Sequence, residues 1–187
     1  MASRNDINTA YLVTVNAPAG DNPNYIYSQG SSTANSIYIE WGSGVSEPVL
    51  MGAAWNDYAE YRNQKETIEP GYCVKSNDDG RVERTTEHMS ICDGIVSDTY
   101  GFSIGKNKEY QTPLAVSGRV LAYCEGNRED YHAGDVVCAS ENGKVCKMTR
   151  EEICQYPDRI VGTVSEIPNY NTWNKKKING RIWIKVK

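Results

Sequence analysis

Gly71-Tyr72-Cys73-Val74-Lys75-Ser76-Asn77-Asp78-Asp79-Gly80-Arg81-Val82-Glu83 decides the fold, because the stretch recurs. At a constant offset of 63 residues Gly71 falls on Gly134, Val74 on Val137, Gly80 on Gly143, Val82 on Val145 and, just beyond, Thr86 on Thr149. Further along, Gly94-Ile95-Val96-Ser97-Asp98 answers Gly162-Thr163-Val164-Ser165-Glu166 at an offset of 68. The two copies, 69–98 and 132–166, each read as strand, tight turn, strand, variable insert, strand. Asp79-Gly80 and Asn142-Gly143 are the dipeptides that accept positive φ at both centres of a two-residue primed turn. That turn sets Ala139 opposite Cys146 and Cys138 opposite Lys147. Cys138 and Cys146 would then point to opposite faces, and no bond between them is expected.

Outward from the repeat, Thr149-Arg150-Glu151-Glu152 makes a capping box for one short helix, stopped by Pro157. Gly180-Arg181-Ile182-Trp183-Ile184-Lys185-Val186-Lys187 alternates as a strand that closes a sheet, and Lys175-Lys176-Lys177 reads as a solvated turn. Toward the other end, Ala10-Tyr11-Leu12-Val13-Thr14-Val15 and Ser36-Ile37-Tyr38-Ile39-Glu40-Trp41 read as strands. Turn chemistry at 17–24, 29–32 and 42–44 punctuates them. Residues 1–56 hold too little apolar material for a core of their own. The expectation is a mainly β protein: a small barrel or sandwich built from two related hairpin units with one short helix, over 57–187. A β-rich extension over 1–56 leans on it or on other chains.

Composition narrows the function classes. The chain has 187 residues, 39% hydrophobic and 24% charged, with a formal net charge of −4. No apolar run reaches the roughly 18 residues of a membrane span, and the first residues lack the apolar stretch of a secretory signal. No broad basic excess points to nucleic acid. Thirteen Tyr and four Trp against a single Phe suit half-buried sheet surfaces and wet interfaces. The six cysteines, at 73, 92, 124, 138, 146 and 154, form no C-x-x-C, and only His88 and His132 accompany them. Reduced thiols packing as small hydrophobes are expected, with no metal site and no cofactor; a metal site would have to be assembled from distant segments. Phosphate loops, nucleophile elbows, zinc-protease helices and dinucleotide fingerprints are absent from the sequence.

One segment breaks the β pattern: Gly52-Ala53-Ala54-Trp55-Asn56-Asp57-Tyr58-Ala59-Glu60-Tyr61-Arg62, small and then aromatic and acidic. As a purely structural element, its Trp55, Tyr58 and Tyr61 are anchors with solvated carboxylates between them. Asn56-Asp57-Tyr58-Ala59-Glu60-Tyr61 resembles the D-Y-A-E core of the glutamic-type autoproteolytic domain at the carboxy end of phage neck-appendage and tailspike proteins. The Gly-x-x-Val hairpins, Val-Ser strands and closing strand of 50–187 are similar to that family too. The resemblance implies cleavage between Asn56 and Asp57, Glu60 as the catalytic acid/base, and a homotrimer. Asn56 stands where the family commonly has Ser.

The residues allow several routes for such a cut. Glu60 could polarise water or carry a proton if burial or a neighbouring carboxylate raises its pKa. One helical turn over 57–60 would put Asp57 and Glu60 on one face, where they could share a proton. Asn56 could instead attack its own carbonyl through its side-chain amide and form a cyclic imide. The functional expectation is a tail, appendage or fibre module of a bacteriophage virion, assembled in the host bacterial cytoplasm with itself and other virion proteins, with a self-cleaving bond. The alternatives are a receptor tip that binds host surface glycan and a capsid-decorating structural protein.

Overall fold

Residues 56–105 and 110–187 are described in full by the structure, a computed structural model, together with the backbone of four short strands before them. Those four are β1 (Val13–Val15), β2 (Asn24–Ser28), β3 (Ile37–Glu40) and β4 (Leu50–Met51), paired antiparallel in sequence order. The turn readings at 17–23, 29–32 and 42–44 and the small-residue run 52–55 lie outside the described residues.

The rest is organised by one long strand. In chain order come β5 (Asp57–Asn63), β6 (Cys73–Ser76), β7 (Val82–Arg84), β8 (Gly94–Val96), β9 (Phe102–Ile104) and β10 (Gln111–Ala122). They are followed by β11 (Val136–Ala139), β12 (Val145–Lys147), α1 (Arg150–Gln155), β13 (Gly162–Glu166), β14 (Thr172–Trp173), β15 (Lys176–Lys177) and β16 (Ile182–Val186). β10 pairs antiparallel with β5 from Gln111 to Gly118, with β8 at Leu114 and Ala115, and with β16 from Gly118 to Ala122. β9 lies parallel to β5 on the far side and joins it to β4. The resulting sheet is mainly β in character and curls into a half-barrel, as the composition and periodicity predict.

Two hairpin units hang from the central pair, the first from β10 through β8 and the second from β16 through β13, and their pairings repeat. In the first, Val74 faces Arg84, Lys75 faces Glu83 and Ser76 faces Val82. In the second, 63 residues on, Val137 faces Lys147, Cys138 faces Cys146 and Ala139 faces Val145. The third strands dock alike: Cys73 pairs with Ile95 and Val74 with Gly94, as Val136 pairs with Thr163 and Val137 with Gly162. Even the isolated bridges Gln64 to Val82 and Cys124 to Val145 correspond.

The hairpin loops correct the expected turn. Asn77 N–H donates to Arg81 O and Gly80 N–H to Asn77 O; Ser140 N–H donates to Lys144 O and Gly143 N–H to Ser140 O. Three residues therefore fill each loop, not two, and only the glycines take positive φ, +73° at Gly80 and +71° at Gly143. A type I turn closed by a left-handed glycine has this form and adds one residue to the loop. Because strand side chains alternate, that extra residue reverses the predicted facing: Cys138 sits opposite Cys146 on one face. A two-residue loop with positive φ at both centres does occur, at Asn174 and Lys175 between β14 and β15, where the sequence read only a solvated turn.

Cores form at equivalent positions. Val74, Val82, Val96 and Leu114 cluster with Ile68 in the first unit. Their counterparts Val137, Val145, Val164 and Ile184 belong to the larger cluster that also takes in Cys73, Ile95 and Ala115. Each such side chain contributes about 1.5–3 kcal/mol by leaving water. Thr149 caps α1 with the expected box, accepting from Glu152 N–H while Glu152 accepts from Thr149 N–H. β16 lies between β10 and β13, a central place that its alternating Ile182, Trp183 and Ile184 suit on both faces. The halves are joined by Arg181, which is buried and reaches both carboxylate oxygens of Asp98 at 2.8 and 3.2 Å.

Candidate functional site

The Asn56–Asp57 bond enters β5 at the middle of β10. Asp57 and Ala59 point inward and are buried, while Tyr58 and Glu60 lie on the opposite face and are half-buried. Tyr58 stacks on Phe102 of β9, with ring centroids 5.1 Å apart. The segment is therefore a strand, drawn into extension by β9 and β10, and the helical turn that would let Asp57 and Glu60 share a proton does not form. In a strand, residues three apart face opposite sides and lie roughly 10 Å from each other.

β10 is shaped to close on the junction. Its register shifts between Ala115 and Ser117, and Gly118 follows with φ +100°. A Cβ at Gly118 would stand 2.7 Å from Asp57 Cα and closer still to Asn56 O, so only glycine permits the approach. The next residue uses that proximity: Arg119 N–H donates to the Asn56 carbonyl at 2.6 Å. Gly101 N–H donates to the Asp57 carbonyl at 3.0 Å.

Burial dominates the electrostatics of Asp57. The residue is 5% exposed, and desolvation pushes its pKa up to about 7; hydrogen bonds from Ser97 and Thr99 oppose the rise, and the charge of Asp98 adds to it. Thr99 Oγ1 donates to Asp57 Oδ1 at 3.1 Å, whereas Oδ2 has no hydrogen-bond partner among the described residues. The side-chain nitrogen of Asn56 is likewise buried without one. Two unpartnered polar atoms thus flank one peptide bond, whose carbonyl is held by a backbone donor. A carboxyl that is half protonated near neutrality can give a proton to the nitrogen of its own residue, and the Arg119 N–H can hold negative charge developing on the Asn56 oxygen.

The structure gathers Asn56 and Asp57 into this site and leaves Glu60 on the other face. Sequence reasoning missed Ser97, Thr99, Gly118 and the Arg119 amide, which arrive by pairings 40 or more residues away and carry no local motif. It also missed a cluster of His88, Cys138 and Cys146, whose only trace was the number of residues in a hairpin loop. An open groove of about 830 Å³ between the two hairpins is lined by charges of both signs, including Lys65, Glu66, Arg84, Glu141 and Lys144. Its aromatic residue, Tyr72, is covered by the Arg84 guanidinium at 4.5 Å and leans on Tyr123.

No protein-family profile and no curated protein matches the chain. Two solved structures share its fold. The C-terminal fragment of bacteriophage phi29 gene product 12 aligns with a TM-score of 0.50 at 18% identity, covering 70% of this chain and all of the fragment. The pre-mature form of the same gene product aligns with a TM-score of 0.52 at 16% identity. There the alignment covers 82% of this chain and 24% of the longer one.

Proposed function

We propose that the chain is a structural module of a bacteriophage tail or appendage protein that cuts itself between Asn56 and Asp57. In this reading 57–187 is the β domain, 1–56 adds strands between the subunits of a homotrimer, and the product resides in the virion with other virion proteins. The fold shared with phi29 gene product 12 supports the setting. The observation that carries the cleavage is the Asp57 carboxyl: buried, half protonated near neutrality, with one oxygen unpartnered among the described residues, on the residue that supplies the leaving nitrogen.

Water adds to the Asn56 carbonyl carbon, and the Arg119 N–H holds the oxygen as charge builds on it. The bond between that carbon and the Asp57 nitrogen breaks, and the Asp57 carboxyl protonates the departing amine. Glu60 takes the proton lost by the water. Glu60 lies on the opposite face of its own β5, so this transfer requires the Glu60 of a second copy, which the homotrimer of this reading would bring to the junction. A glycan-binding tip has less support, because the aromatic face in the groove between the hairpins, Tyr72, is already covered by Arg84.

Intact mass under denaturing conditions tests the reading, on wild type, Asp57→Asn and Glu60→Gln after incubation. A 57–187 fragment from wild type alone supports it. Fragment from all three at equal rates overturns both carboxylate roles and favours the Asn56 imide route. An uncut wild type that assembles normally overturns self-cleavage altogether.

A further inference from the structure

We propose that His88, Cys138 and Cys146 bind one zinc-class divalent ion, with a fourth coordination position left to water. The ligand atoms are already grouped. Cys138 Sγ lies 3.4 Å from Cys146 Sγ, Cys146 Sγ lies 3.4 Å from His88 Nδ1, and all three atoms fall within 4.8 Å of one another. Zinc–sulfur bonds of about 2.3 Å and zinc–nitrogen bonds of about 2.0–2.1 Å at tetrahedral angles require sulfurs about 3.8 Å apart and sulfur to nitrogen about 3.6 Å. The two contacts made by Cys146 Sγ need to open by a few tenths of an ångström, while His88 Nδ1 and Cys138 Sγ, which lie within 4.8 Å of each other, must settle at about 3.6 Å by a small turn of either side chain.

The histidine is oriented as a ligand. Its Nε2 faces Glu152 Oε1 at 3.2 Å, which leaves Nδ1 to present its lone pair to the sulfurs. Glu152 is fixed in turn, because its other oxygen accepts from Thr149 N–H at 2.7 Å in the capping box of α1. On the other flank Met89 takes a left-handed φ of 57° and donates its N–H to Ala139 O, pinning the turn that carries His88 to the edge of β11. A non-glycine residue held there is strained, which marks the turn as over-determined by its surroundings.

The fold does not need this cluster to close its hairpins. The same rung of the first unit holds Lys75 and Glu83 and pairs in the same way. Cys146 is half-buried and His88 exposed, so neither is core filling, and the site remains open to a metal from solvent. Two thiolates with one imidazole select zinc over magnesium or calcium, and two negative sulfurs balance the ion's charge. Binding releases the two thiol protons to solvent. The ion would tie the 85–90 segment, the second hairpin and α1 at one point. The inference shares no residue with the Asn56–Asp57 site and stands whether or not that bond is cut.

The test uses the full chain, purified under reducing conditions, stripped of metal and then titrated with Co²⁺ and Zn²⁺. Wild type is expected to take up one ion per chain, with the intense sulfur-to-cobalt charge-transfer absorption and tetrahedral d–d bands of two thiolate ligands. Cys138→Ser should abolish that absorption and His88→Ala should weaken uptake at least about tenfold. Glu152→Gln should weaken it by about tenfold, because the carboxylate that orients and polarises the His88 ring is lost. Cys154→Ser, an exposed thiol outside the cluster, should bind as wild type does. Because His88 is exposed, its variant keeps the test decisive if Cys138→Ser fails to fold. Folded wild type that takes up no metal overturns the proposal, as does equal binding by His88→Ala. So does isolation of Cys138 and Cys146 as a disulfide that resists reduction.

Discussion

Glu83 in the first hairpin and Cys146 in the second occupy the same rung, opposite Lys75 and Cys138 respectively. Glu83 turns to solvent and meets Lys65 at 2.8 Å, an exposed pair of the kind that contributes little. Cys146 joins a thiol and an imidazole. The rungs flanking them, Val74 and Val137, Val82 and Val145, barely differ, since these side chains make the cores. The ladder and the left-handed loop glycine fix the backbone of both units, and the rungs on the face opposite these valines are left to carry whatever chemistry a unit acquires. The first half has its buried carboxyl elsewhere, on Asp57 at the start of β5.

The two halves share the β10–β16 ladder, one core cluster and the Arg181–Asp98 pair, and breaking that pair is the strongest challenge to the comparison. Arg181→Ala is expected to cost about 2–3 kcal/mol in urea denaturation by leaving the half-buried Asp98 carboxylate without its guanidinium partner, with the chain still unfolding in a single transition. Two separate transitions would mean that the halves fold independently.

The next test concerns the one buried carboxylate among the described residues, which belongs to the first half. Folded Asp57 holds its proton up to about pH 7, whereas the unfolded chain releases it near its ordinary value of 3.8. Between those values the folded state binds more protons. The Asp57 contribution is therefore complete below the unfolded value and is lost as pH rises through 7, by up to about 4 kcal/mol. Asp57→Asn should remove that decline from stability measured between pH 4 and 8; an unchanged profile would show that the junction is wetter than its burial indicates.

The smallest effect sharpens the likeness of the hairpins. Gly80→Ala meets no neighbour and should cost about 1 kcal/mol for its left-handed φ. Gly143→Ala pays the same backbone penalty and also drives into the Arg84 side chain, lifting it from Tyr72, so about 2 kcal/mol is expected by thermal or urea unfolding. Equal losses would remove the Gly143–Arg84 contact as a tie between the units.

What was legible follows from how local the cause is. The loop glycines, the Thr149 cap and the alternation of Ile182 and Ile184 act within a few residues, and each was readable. Loop length was not, because Asp78 and Glu141 are polar enough for either a strand end or a turn, and only the closing bonds from Asn77 to Arg81 and Ser140 to Lys144 choose. β5 was ambiguous because Asp57, Tyr58, Glu60 and Tyr61 satisfy a three-residue spacing as well as an alternation, and pairing with β9 and β10 decided it. The surroundings of Asp57 were invisible for the same reason: Thr99 and Arg119 reach it only after the sheet has formed.

β5 also has a mechanical meaning. Seven residue pairs hold it antiparallel to β10 and three hold it parallel to β9, all roughly perpendicular to its own axis. A pull arriving through residue 56 would run along that axis, so the rungs would bear the load together in shear rather than open one after another like a zipper. The chain upstream of Asp57 is thus moored where the domain resists tension best, and a cut at that bond would part the rope at its strongest cleat.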